Sequence, residues 1–124
     1  MDYRRKSPRI AVDLPIVCHL TGRHPTKTFS SAGRVRDLSV CGMRVEVPVP
    51  LRALGSAGVD YDLPLPAPFR AVTGNGRIRW AAWNEAANHT VFGMEIIWLD
   101  QADHEAMELI LAELAEEHRL SRPC

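Results

Sequence analysis

At 124 residues the chain has the length of one domain, and its 46% hydrophobic and 24% charged residues exclude wholesale disorder and a fibrous repeat. The net charge of zero is unevenly laid out: residues 1–50 carry nine Lys/Arg against four Asp/Glu, and residues 51–124 carry six against eleven. That split points to a small anionic partner at the N-terminal half, and away from a protein that coats nucleic acid.

Residues 1–9 contain no apolar run of the secretory type, and no stretch of the chain is long enough in apolar residues to cross a bilayer, so a cytoplasmic location without membrane insertion is expected. Cys18, Cys41 and Cys124 form an odd set without Cys-x-x-Cys spacing, which disfavours a disulfide framework and a zinc site. The first segment with chemistry is Arg5-Lys6-Ser7-Pro8-Arg9. Pro8 biases Ser7 toward extended backbone. In an extended arm Arg5 and Arg9 stand on one side, ~13 Å apart, a span that suits a dinucleotide. Guanidinium groups bond phosphate and the O6/N7 edge of guanine bidentately.

Val12 to Leu20 alternates, with Val12, Leu14, Ile16, Cys18 and Leu20 on one face, and predicts a half-buried strand. Pro15 predicts an edge or a bulge within it. Thr21 to Ala32, rich in Thr, Ser, Gly and Pro, reads as a loop. Short strands follow at Val35–Leu38 and Met43–Val47, the second with Arg44 and Glu46 outward. Between them lies Asp37-Leu38-Ser39-Val40-Cys41-Gly42, in which Asp37 and Ser39 are placed to share a face and Leu38 the other. A carboxylate can accept from the N1 and N2 donors of guanine, a pair that adenine lacks. Gly42 suits a positive-φ turn or close approach of a ligand.

Further strands are expected at Val59–Leu63, Phe69–Thr73, Arg77–Trp83 and Thr90–Leu99, with a hairpin turn at Gly74-Asn75-Gly76. Many short strands at regular spacing indicate a barrel or sandwich. From about Asp103 to His118 the period turns helical, with Ala106, Met107, Ile110, Leu111 and Leu114 on one stripe that either closes the barrel or meets a partner. Asp100 and Asp103 suit its start.

Other signals lead nowhere. His104-Glu105-Ala106-Met107-Glu108 has Glu where a zinc-protease motif needs its second His, and Gly74 to Arg79 lacks the third glycine of a dinucleotide loop. No Ser or Cys has a base at a nucleophile spacing, so the chain is not expected to be an enzyme. Trp80, Trp83 and Trp98 fall in strand patterns and read as core or rim residues before stacking platforms.

Arg5-x-x-x-Arg9 followed by Asp37-x-Ser39-x-x-Gly42 resembles the motif pair of the PilZ domain family, and Gly76-Arg-Ile-Arg-Trp80 with Phe92-Gly93-Met94-Glu95-Ile96 resembles the strands that close its barrel. The resemblance implies a mainly β fold, a six-stranded antiparallel barrel over residues 10–100 with a C-terminal helix at 101–120 and a flexible ligand-binding arm at 1–9. It implies a bacterial receptor for cyclic di-GMP with no other cofactor, acting on an effector protein in motility, biofilm formation or a related output. Arg5 and Arg9 would grip phosphate and guanine, Asp37 and Ser39 would read a guanine edge, and Arg4 is associated with capture of two stacked ligands. The other reading within the family is an interaction protein that docks on pilus or motility machinery without ligand. The effector, the ligand stoichiometry and a homodimeric or ligand-dependent oligomeric state stay open.

Overall fold

A computed structural model describes residues 9–22, 28–50, 54–98 and 100–118. Alternating apolar residues drive six strands to curl around one core: β1 (Ile10–Gly22), β2 (Thr28–Leu38), β3 (Gly42–Val47), β4 (Leu54–Leu63), β5 (Val72–Asn84) and β6 (His89–Trp98). They close as an antiparallel barrel in the order β1-β2-β3-β6-β5-β4, and α1 (Gln101–His118) follows. Closure leaves no sheet edge, so every strand finds ladder partners on both sides.

Ile16, Cys18 and Leu20 from β1 meet Val35, Leu38, Met43, Val45, Val59, Tyr61, Phe92 and Met94 in the interior. Val12 and Leu14 of the expected inward face pack against that cluster. The β1–β2 register shifts between Ala11 and Leu14, and β1 meets β4 only from Val17 onward, which accommodates Pro15.

Three expectations are corrected. Thr28–Ala32 is strand, not loop: Thr21↔Thr28 through Val17↔Ala32 form a regular hairpin ladder. Its polar composition hid it, because ladder hydrogen bonds hold this part of β2 with little apolar burial. Gly74-Asn75-Gly76 is no hairpin either. Gly74 pairs with Tyr61 and Gly76 with Val59 inside one continuous β5, and the register shift between Asn75 and Gly76 marks where β5 passes from β4 to β6. The turn lies at residues 85–88, with Asn88 at φ 56°. The expected Phe69 strand start is a turn, in which Phe69 N–H donates to the Pro66 carbonyl at 3.0 Å.

α1 begins two residues earlier than its apolar period. Asp100 caps it, its carboxylate accepting from Asp103 N–H at 2.9 Å. Asp103 is 3% exposed and fastens the helix to the barrel, accepting from Thr73 N–H at 3.5 Å and facing Arg70 at 3.2 Å. Ala106, Met107, Ile110 and Leu111 are buried in the same core, so the stripe closes the barrel. Burying Met107 and Ile110 is worth about 1.5–3 kcal/mol each.

Candidate functional site

The site starts with one extra residue in β2. Val35 pairs with Val45 and Asp37 with Arg44, so Arg36 has no opposite number on β3. Strict alternation from the buried Val35 would turn Asp37 into the core. The bulge at Arg36 shifts the phase, returning fully buried Leu38 to the interior and holding Asp37 on the outer face. Arg36 reaches Glu46 at 2.9 Å and Asp13 at 3.0 Å. The hydrogen bond to Glu46 raises the Arg36 guanidinium above its ordinary pKa. Asp13 is held below the usual carboxylate value by the hydrogen bond from Arg34, 2.8 Å away, with the Arg34 and Arg36 charges adding to it.

Asp37 is set between two cations. Arg44 Nε donates to its Oδ2 at 3.0 Å, and Arg9 Nη1 lies 3.6 Å from Oδ1. The Asp37 side chain keeps 20% exposure, against 30% for Arg9 and 44% for Arg44. Its Oδ1 is buried and accepts no hydrogen bond from the described residues. A carboxylate so placed keeps unused acceptor capacity that two guanidinium groups cover, an arrangement suited to a ligand bringing both donors and negative charge.

Ser39 and Gly42 build the turn that ends β2. Ser39 Oγ accepts from Cys41 and Gly42 N–H, each at 3.1 Å, and donates to the Gly42 carbonyl at 3.3 Å. With Ser39 2% exposed, its hydroxyl is turned into the loop and not toward solvent. Gly42 is not in the positive-φ region; a Cβ there would stand 2.6 Å from the Met94 carbonyl, so its close approach is to β6. Asp37, Ser39, Gly42 and Arg9 are thus brought together at one end of the β1–β2–β3 surface. Arg4 and Arg5 lie outside the described residues.

The barrel adds Arg44, and with it Trp80, a residue expected in the core or at the rim. Ladder neighbours run Ala11↔Asp37, Asp37↔Arg44, Arg44↔Gly93 and Gly93↔Trp80, one row across β1, β2, β3, β6 and β5. A Cβ on Gly93 would collide with the Trp80 indole, which lies against β6 because that position has no side chain. Trp80 is 46% exposed, turned outward by a second register shift between Ile78 and Trp80. A glycine inside an apolar strand and a break of alternation at Arg79-Trp80 were the available sequence signals. For Arg44 the sequence showed only an outward residue of β3.

The face is open. A cleft of about 430 Å³ lined by Ala11, Val12, Asp13, Leu14 and Leu114 continues the row from Ala11 toward α1. Another, of about 490 Å³, lies toward the far end of β3 beside Glu46, Pro48 and His89. Among the described residues no three His, Cys, Asp or Glu side chains gather as a metal set, and no helix is long and apolar enough to cross a membrane.

The family model for the PilZ domain matches residues 3–113. No curated protein matches the chain. Among solved structures it is similar to the PilZ domain of YcgR from Escherichia coli with c-di-GMP, at TM-score 0.68 and 15% identity, covering 95% of this chain and 96% of that one. It also matches the Bacillus subtilis inhibitor of motility MotI/DgrA, at TM-score 0.71 and 14% identity over 98% of this chain and 55% of that one. The K. pneumonia MrkH–c-di-GMP complex matches at TM-score 0.69 and 17% identity over 98% and 57%. The chain thus spans about half the length of the MotI and MrkH chains, and these identities speak for the fold.

Proposed function

The chain belongs to the PilZ domain family, and we propose that it is a receptor for cyclic di-GMP whose bound state is read by a partner protein. The observation that carries this reading is Asp37, held outward between Arg9 and Arg44 on the same ladder row as the solvent-open Trp80. In this reading the carboxylate accepts from N1 and N2 of a guanine, which separates guanine from adenine. Arg9 and Arg44 take the phosphates with charge-assisted bonds. Trp80 offers a face on which a base stacks. Ser39 serves by fixing the turn, and so the angle at which Asp37 leaves the barrel, rather than by touching the base. Arg4 and Arg5 supply further guanidinium groups from the arm, with Arg4 the candidate for holding a second, stacked ligand.

The presence of c-di-GMP in the YcgR PilZ domain and in MrkH supports the choice of ligand. Binding orders the arm over the outer face, and the surface so formed is what the partner recognises. Titration calorimetry tests the site. Cyclic di-GMP is expected to bind, and Asp37→Ala, Arg9→Ala and Arg5→Ala each weaken it at least tenfold. Undiminished affinity in all three variants, each folded by circular dichroism, refutes the assigned site.

A further inference from the structure

We propose that Arg44 is a conditional lock on guanine recognition: it covers Asp37 until a phosphate on the same ligand draws it away. The inference rests on the cyclic di-GMP reading and deepens it, because it concerns which guanine compounds the site accepts.

Reading the N1 and N2 donors of one guanine requires both oxygens of Asp37. Neither stands open to it: Oδ2 accepts from Arg44 at 3.0 Å, and Oδ1 faces Arg9 at 3.6 Å. Seating N1 and N2 edge-on against both oxygens therefore competes with a charge-assisted bond, against which a neutral guanine offers only neutral donors. Among the described residues, the outward carboxylates beside Arg44 already have partners. Glu46, two residues along β3 on the same face, already accepts from Arg36 at 2.9 Å, and Glu95 on neighbouring β6 is paired with Arg79. A bare guanine thus leaves Arg44 unpaired, whereas a guanine carrying a phosphodiester brings the anion that Arg44 then holds.

The local structure permits the movement. The Arg44 side chain is 44% exposed. Its ladder neighbour Gly93 has no side chain, and the Trp80 indole lies over that glycine. A base stacked on that indole sits within reach of Arg44 and Asp37 together. The arginine is thereby a specificity residue, making the guanine edge and the phosphate one cooperative test instead of two independent contacts.

The test compares two ligands on two proteins. Guanosine and cyclic di-GMP are titrated into the wild-type chain and into Arg44→Met, which keeps length and removes charge, with the Trp80 indole resonance followed by NMR. Arg34→Gln, which breaks the separate pair with Asp13, is the control and is expected to match wild type. In Arg44→Met guanosine is expected to bind at least tenfold more tightly than in wild type, while cyclic di-GMP does not gain. The ratio of the two affinities falls at least tenfold. A lock without a phosphate role would tighten both ligands in parallel, and a phosphate contact without a lock would leave guanosine unchanged; either result overturns the proposal. Parallel weakening of both ligands, the mark of a merely structural arginine, overturns it too. Wild-type protein that binds no cyclic di-GMP overturns the ligand reading itself, a different result from any change in the ratio.

Discussion

Asp37 and Asp62 are both carboxylates on the outer face of the barrel, each beside a basic side chain, yet their surroundings differ in every respect that matters for binding. Asp62 is 52% exposed, and His19 bridges it to Ser30, 2.8 Å from each. Its strand meets β1 through Val17↔Asp62 to Leu20↔Val59 and meets β5 from Gly58 to Leu63 without a register shift. Asp37 is 20% exposed, faces two guanidinium groups and owes its direction to a bulge, with a second bulge aiming Trp80 into the same row. A surface pair such as His19–Asp62 contributes little and asks for no ligand. Asp37 is partly desolvated among cations and, on the reading proposed above, exchanges partners.

The sharpest way to break this contrast is to exchange the two residues that the bulge phases, Asp37→Leu together with Leu38→Asp. The leucine then faces out and the carboxylate faces in. Losing the burial of Leu38 costs about 1.5–3 kcal/mol, and a buried carboxylate without its partners adds several more. The urea midpoint is expected to fall steeply and cyclic di-GMP binding to vanish, whereas Asp62→Asn leaves both unchanged. An exchanged variant with native stability and affinity would show that the phase set by the bulge does not matter. Next in size is Trp80→Ala. Base stacking is worth about 1–3 kcal/mol, so cyclic di-GMP affinity should drop roughly tenfold. Trp83→Ala, equally open at 40% exposure but opposite Thr90 near the far end of β5, should leave it alone. Equal losses from the two would mean that tryptophan content matters and the row does not.

The smallest effect belongs to Asp13. Its folded pKa is lowered, chiefly by the hydrogen bond from Arg34, so its contribution to stability is present above the ordinary value of 3.8 and is lost as pH falls through the folded value. The side chain is 60% exposed, which keeps the contribution small. Denaturant midpoints taken from pH 5 downward are expected to fall slightly faster for wild type than for Asp13→Asn. Parallel curves would show that the Arg34 and Arg36 pairing adds nothing to stability.

How much of this was open to inspection in the sequence follows from what each feature depends on. Ile16, Cys18 and Leu20, or Met43, Val45 and Val47, announce strands because inward residues recur every second place. Thr28–Ala32 does not, since its pairing rests on backbone bonds that composition does not record. Gly74-Asn75-Gly76 has the chemistry of a turn and is strand, because the partner strands on either side decide its conformation. The motif residues Asp37, Ser39 and Gly42 were legible as a group, though the internal bonding of Ser39 was not. Arg44 and Trp80 could not be joined to them from sequence alone, as their adjacency depends on registers between strands far apart in the chain. Arg4 and Arg5 stay where the motif put them, outside the described residues.

The row that carries the site also has a history during synthesis of the chain. Asp37 and Arg44 meet as soon as β2 and β3 pair, but the ladder from Arg44 to Gly93 joins segments separated by all of β4 and β5. Such long-range pairing carries a larger loop-closure cost than the β2–β3 pairing. A ribosome-bound fragment ending before β6 would carry Asp37, Ser39 and Gly42 intact and still lack the Gly93 floor that seats Trp80. Under the cyclic di-GMP reading, competence to bind therefore requires the closed barrel.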